Sequence, residues 1–520
     1  MSQTGGHPKG LYVLFATEMW ERFNYYGMRA ILFLFMTKAL FFEDAFASNL
    51  YGSYISLIYL TPLVGGYIAD RYWGNKRSIF IGGLVMVAGE IILFACGTVY
   101  HSSPGLSQVL LYCGLGFMVA GNGFFKPNIS SLVGQLYPVG DRRKDSAYTI
   151  FYMGINLGGA FGPLVCGLVG DTRNPADFKW AFLVGAIAML LSLVVQRLYH
   201  NKYVLSPEGK ILGLVPGADP NAHPVSTIPG ISQPVTKPPS KGWMNPIYTI
   251  IGMLLFAGVM IGAMYMDTRV SYLPFLLLGS FLFIAALIFS DKSLLKEERR
   301  RVWIMLVVAF FVVFFWAAYE QTGASLTMFA DRQTDLNVMG IFEMPASWFQ
   351  SFNSIFIIIF ALPFAWLWLK LGKYEPSTIT KMAIGIFFLG LGYLWIAFGV
   401  KDVSPTTKVS IIWLTLLYVL HTWGELCLSP IGLSLFNKLA PLKFASLLMA
   451  VWFLGNAGGN KFAGVLSSLY PDNGRVTSFL GYRMTNLYDF FMLFVGMSFV
   501  AALILFLLSK PLNKLMAGVK

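Results

Sequence analysis

The chain has 520 residues, 56% of them hydrophobic and only 12% charged, with a formal net charge of +13. A soluble protein normally carries about twice that charged fraction, so a string of soluble domains is excluded and a polytopic membrane protein is indicated. The basic excess lies in short clusters (Arg71, Lys76 and Arg77; Arg142, Arg143 and Lys144; Lys296, Arg299, Arg300 and Arg301; Lys510 and Lys514), which is the pattern of cytoplasmic loops and not of a nucleic-acid face.

In chain order, fourteen apolar segments are long enough to cross a bilayer, which takes about 20 residues each. Six come first, near 10–40, 47–70, 78–99, 106–136, 146–170 and 178–199. The first is too long for a signal-peptide core and has no small-residue cleavage site after it, so it is expected to stay as a span. A polar stretch rich in Pro, Gly and Ser follows and reads as a linker over 201–245. Two further spans fall near 246–266 and 270–290, and six more near 302–330, 347–369, 377–400, 409–436, 444–468 and 485–509. The expected fold is all-α and polytopic: a six-helix bundle over 1–200, the cytoplasmic linker, an inserted pair over 246–295, and a second six-helix bundle over 296–520. Placing the basic clusters in the cytoplasm puts both termini there too; a multi-pass protein of the inner (plasma) membrane is expected.

The halves echo each other. "GNGFFKP" at 121–127 matches "GELCLSP" at 424–430, an offset of 303, and "YMGINLGG" matches "FLGNAGG" with Gly154 over Gly455, an offset of 301. Gly74 over Gly372 gives 298. Three near-equal offsets are the trace of a duplicated transporter fold.

Charge inside spans costs about 2.5–3.5 kcal/mol per residue on insertion scales, so each such residue needs a reason. "TEMWERFNYYGMR" in the first span holds Glu18, Glu21, Arg22 and Arg29. At about 100° per residue, these four and Tyr25 share one face, with Glu18 and Arg22 spaced as an i, i+4 pair. A structural ion pair and the wall of a polar cavity are the two readings. Span four adds Lys126, followed by Pro127, which loosens the helix. The span after the insertion carries Glu320 in "FWAAYEQTG", and Glu425 lies in "HTWGELCLSP". Asn156 and Asn353 are polar residues inside apolar spans; alone, each is more often a helix–helix hydrogen bond. Glu90 reads as packed, and His421, one turn before Glu425, is not expected to act directly. Opposite charges in opposite halves are expected near mid-membrane, where transporter substrates bind.

The four cysteines, Cys96, Cys113, Cys166 and Cys427, all sit in apolar segments at unrelated spacings, with no disulfide or metal framework. No metal spacing, nucleophile–base pairing or phosphate loop suggests an enzyme, and no cofactor is implied.

Five stretches resemble the proton-dependent oligopeptide transporters of the major facilitator superfamily over essentially the whole length: "EMWERFNYYGMR", "GGYIADRYWGNKR", "GFFKPNIS", "FYMGINLG" and "GELCLSPIGLS". The resemblance implies a proton-coupled symporter that imports di- and tripeptides by alternating access, its partners being the peptide, protons and the lipid bilayer. A monomer is expected. The resemblance also implies roles. Arg29 and Lys126 hold the peptide's carboxyl end. Glu425, Asn156 and Asn353 hold its amino end. Tyr25, Tyr26, Tyr59, Trp316 and Trp452 line side-chain pockets. Glu18, Glu21 and Arg22 handle the proton with Glu320, which also borders the substrate. Animal members use a histidine in span two; none stands there in this chain, so coupling is expected to rest on carboxylates. Asn456 replaces a serine found in some members. The alternative is a related symporter for nitrate, a drug or a metabolite; the intact E-x-x-E-R motif weighs against nitrate.

Overall fold

The structure, a computed structural model, describes residues 6–138, 140–215, 245–404, 407–472 and 474–516. Most of the linker expected over 201–245 lies outside the described residues. Long apolar runs give long helices, three of which continue through an interior proline (Pro62, Pro127 and Pro163): α1 (Lys9–Leu34), α2 (Asp44–Ile68), α3 (Gly74–Val99), α4 (Pro104–Gln135), α5 (Arg143–Gly170) and α6 (Phe178–Tyr203). The inserted pair is α7 (Pro246–Val270) and α8 (Leu273–Ser290). Then come α9 (Lys296–Tyr319), the short α10 (Ser325–Gln333), α11 (Phe349–Leu371), α12 (Thr378–Val400), α13 (Ile411–Leu439), α14 (Ala445–Ser467) and α15 (Leu487–Leu515). Strands among the described residues are two or three residues long and pair only as two-stranded ribbons in connections.

Fourteen of these helices have 18 residues or more. Among the described residues, eleven segments qualify as crossings by length and hydropathy, the 56-residue run Asp44–Val99 among them; α1, which carries Glu18, Glu21, Arg22 and Arg29, and α14 are not in that set, so the expected count of fourteen spans is not established. That run covers both α2 and α3, joined by a π-helical turn (Ala69–Trp73) and Gly74. Gly74 has φ +72, and a Cβ there would lie 2.4 Å from the Leu214 carbonyl oxygen, so this corner takes only glycine. The close neighbour is the segment 204–215, which turns back on itself through a Leu205–Ile211 bridge and accepts the Lys76 amide on the Gly213 carbonyl at 2.9 Å.

The chain divides into two compact units: Met1–Leu40 with Leu57–Met266, and Phe41–Ser56 with Asp267–Lys520. In the first, α1 packs on α5 through glycines one turn apart. A Cβ at Gly158 would lie 2.3 Å from the Met19 carbonyl oxygen, and one at Gly162 would lie 2.4 Å from that of Phe23. Small residues at every fourth position let helix backbones meet where lipid gives no hydrophobic drive. α7 joins this unit, with Met253 and Ala257 in a cluster with Trp73, Ala120 and Phe124.

In the second unit α12 packs on α13, and α9 on α14. The duplication appears here as geometry. Gly82 of α3 and Gly121 of α4 touch so closely that a Cβ on either would lie 2.5–2.6 Å from the other's carbonyl oxygen. Gly385 of α12 and Gly424 of α13, each 303 residues further on, repeat the contact at 2.6–2.7 Å. At the same offset, Gly89 against Met118 becomes Gly392 against His421. His421 therefore occupies a helix-packing seam.

Candidate functional site

The polar face of α1 is a buried ion cluster within the first unit. Arg22 takes Glu21 bidentately, Nε to Oε2 at 2.5 Å and Nη2 to Oε1 at 2.8 Å, and its Nε lies 3.1 Å from Glu18 Oε1. All three side chains are at most 2% exposed. From α4, Asn122 donates to Glu21 Oε1 at 3.2 Å. Glu21 is thus committed through both oxygens, whereas Glu18 Oε2 is buried with no hydrogen-bond partner. The cation is covered by aromatic rings, Tyr25 at 5.1 Å and Tyr26 at 6.0 Å from Arg22 Cζ. Arg29 is buried further along the same helix.

The motif residues of α4 and α5 explain themselves through this cluster. A Cβ at Gly123 would collide with Thr61 of α2, and one at Gly158 would lie 2.8 Å from Arg22 Cβ. The glycines let α2 and α5 close in, while Asn122 between Gly121 and Gly123 reaches Glu21. Lys126, half-buried one turn beyond Asn122, places Nζ 5.1 Å from the centroid of the Tyr59 ring. Asn156 donates within its own helix to the Tyr152 carbonyl at 2.9 Å.

The second unit holds a carboxylate site. Glu425 of α13 accepts two hydrogen bonds on Oε2, from Tyr319 Oη at 2.5 Å and Asn353 Nδ2 at 2.9 Å. Asn353 of α11 also lies 3.3 Å from Thr422 Oγ1. Tyr319 ends α9, and Trp316 meets it edge to face at 5.3 Å. Glu320 is buried at the start of the 3-10 turn Glu320–Gly323 that follows. Trp452 of α14 is buried against Phe436 at 5.1 Å, in a space opened by Gly432.

Thus Glu18, Glu21, Arg22, Tyr25 and Tyr26 come together, Lys126 meets Tyr59, and Glu425 meets Asn353. Asn122, Tyr319 and Thr422 join these sites without any distinguishing sequence signal, although all three lie inside or beside the motifs. Among the described residues no group of three or more His, Cys, Asp or Glu is arranged to hold a metal ion.

A model of the POT family matches residues 76–211 and 244–478. The chain is 36% identical to the uncharacterized transporter YclF of Bacillus subtilis (strain 168), over 89% of this chain and 88% of that protein. It is 33% identical to the peptide transporter YePEPT of Yersinia enterocolitica subsp. palearctica over 89% and 88%. It is 30% identical to the di-/tripeptide transporter of Lactococcus lactis subsp. cremoris over 99% and 98%. The crystal structure of peptide transporter POT in complex with sulfate matches with a TM-score of 0.81 at 34% identity, covering 99% of this chain and 97% of that one. A POT family transporter in complex with 5-aminolevulinic acid matches with a TM-score of 0.79 at 30% identity, over 99% of both chains. These relatives are transporters, which agrees with a polytopic transport protein and not an enzyme. On its sequence and its fold, the chain belongs to the POT family.

Proposed function

We propose that the protein is a proton-coupled symporter importing di- and tripeptides by alternating access, from a cell membrane with both termini in the cytoplasm. The observation that carries this reading is the pair of unlike polar groups in a POT-family chain. Lys126, a cation, lies over an aromatic ring in one bundle, and Glu425, a carboxylate held by two donors, lies in the other. A peptide zwitterion has one charge for each. Lys126 and Arg29 take its carboxylate; Glu425, Asn353 and Asn156 take its amino group. Tyr25, Tyr26, Tyr59, Trp316 and Trp452 offer apolar walls for side chains, so recognition is directed at the peptide's ends and selectivity is broad.

The proton is carried by glutamates. In the α1 cluster Glu18 takes it, because Glu21 already spends both oxygens on Arg22 and Asn122 while Glu18 keeps one oxygen unbonded. Glu320 is the second carrier, linked to peptide binding through the carboxylate's demand on Arg29 and Lys126. The test is pH-driven dipeptide uptake in proteoliposomes, competed with peptides blocked at either end. Free dipeptides should compete and both blocked forms should compete weakly. Equal competition by all three, or no uptake under the gradient, defeats the reading. Lys126→Ala should sharply weaken dipeptide transport; unchanged affinity removes Lys126 from carboxylate recognition.

A further inference from the structure

The inserted pair, α7 and α8, leaves most of its surface outward, yet its turn is tied down by buried charge. Asp267, in the last turn of α7, and Lys461 of α14 are 0% and 1% exposed, with Nζ 2.5 Å from Oδ2. Ser53 of α2 donates to the same Oδ2 at 2.5 Å and accepts from Lys461 Nζ at 3.0 Å. Asp267 Oδ1 accepts the Leu273 amide at 2.8 Å, which closes the α7–α8 turn. Three elements therefore meet at one carboxylate: the turn of the pair, α14, and the first half of α2.

Beside this triad α2 and α14 touch backbone to backbone. A Cβ at Gly52 would lie 2.9 Å from Gly464 Cα, and one at Gly464 would lie 2.6 Å from the Ser48 carbonyl oxygen. At the head of α2, Arg332 Nη1 lies 2.7 Å from carboxylate oxygens of both Asp44 and Asp472. Residues Phe41–Ser56 consequently group with Asp267–Lys520, and the rest of the same helix does not. Burying two ions costs several kcal/mol each before their attraction is counted. A hairpin that merely filled lipid space would have no use for such a pair.

We propose that the inserted pair is a working latch: through Asp267 it holds Lys461 and Ser53, ties the first half of α2 to α14, and must release them in each transport cycle. This rests on the alternating-access reading above. Asp267, Ser53 and Lys461 act as positioning residues, holding helices and not substrate.

The test reads the accessibility of Ser48 on α2, which is buried at 0% exposure. Ser48→Cys is labelled with N-ethylmaleimide in nanodiscs, against a parent carrying the four native cysteines as background. In the doubly neutral Asp267→Asn/Lys461→Gln background no charge is left unpaired, so folding is kept. Labelling there should rise severalfold, with a melting temperature close to the parent's and an altered turnover at unchanged KM. Ser53→Ala, which keeps both charges, should give a smaller rise. Unchanged labelling overturns the latch. So does a rise that merely tracks a fall in melting temperature, since the triad would then be a static tie. The labelling needs no peptide, so a failure of peptide uptake in the parent would defeat the transport reading separately.

Discussion

Tyr319 and Glu425 share a 2.5 Å hydrogen bond in which the phenol donates to Oε2, and Asn353 donates to that same oxygen at 2.9 Å. Two donors on one oxygen fix the carboxylate's direction from two helices, α9 and α11. Hydrogen bonds to charged groups contribute about 1.5–3 kcal/mol. Tyr319→Phe should therefore raise KM for free dipeptides by about 10- to 100-fold, at 1.4 kcal/mol per decade. Glu425→Gln should penalise peptides with a free amino end more than N-acetylated ones. Uptake competition measures both; equal losses for the two peptide classes would remove Glu425 from amino-end recognition.

The two glutamates of the first helix should separate in their effects. Glu18→Gln is expected to abolish pH-driven uptake while peptide exchange across equal pH continues. Glu21→Gln breaks the bidentate partner of a buried arginine, which typically costs about 3–5 kcal/mol, so it should lower the melting temperature as well. Intact gradient-driven uptake in Glu18→Gln would transfer the proton to another group.

Glu320→Gln should likewise stop pH-driven uptake and spare exchange. Uptake that still follows the imposed gradient would exclude Glu320 from coupling.

The glycine seam between α1 and α5 is a stability test with an internal control. Gly158→Ala forces a methyl to 2.3 Å from the Met19 carbonyl oxygen. Overpacking of this kind costs about 1–3 kcal/mol, and here it also displaces Arg22, so melting temperature and proton-driven uptake should fall together. Gly252→Ala on α7 meets nothing within 4 Å and should be neutral or slightly stabilising through helix propensity.

Outside the spans, Asp291 between α8 and α9 is hydrogen-bonded by Lys443, and its Oδ1 accepts the Ser293 amide at 2.8 Å. The hydrogen bond from Lys443, foremost, pulls its carboxyl down to about 2 from an ordinary 3.8. A depressed folded-state value means stability that is present above the unfolded value and lost as pH falls from about 4 towards 2. Lys443→Met should flatten that part of the melting-temperature profile; an unaltered acid limb would remove the pair from the account.

How much of this could be read from the chain alone follows from where the signal lies. The i, i+4 spacing of Glu18 and Arg22 announced their ion pair, and the glycine-rich echoes announced the duplication, because glycines stand where helices touch. The partners of those glycines were less visible. Gly82 and Gly385 sit in ordinary apolar sequence and gain meaning only opposite Gly121 and Gly424. Tyr319, an aromatic residue in an aromatic-rich helix, carries no mark in the sequence; its hydroxyl matters through Glu425, 106 residues away. Asp267 reads as a helix-end residue, and its partners come from α2 and α14, which no local pattern connects.

The backbone-to-backbone contacts of Gly82 with Gly121 and of Gly385 with Gly424 leave no side chain between the strands of the weave to absorb error. Drift at any of the four cannot be repaired by trimming a neighbour, since what it would strike is a carbonyl common to every amino acid. In each half these crossings are fixed points, and diversity in what the protein carries has to be written elsewhere, on the faces that look away from them.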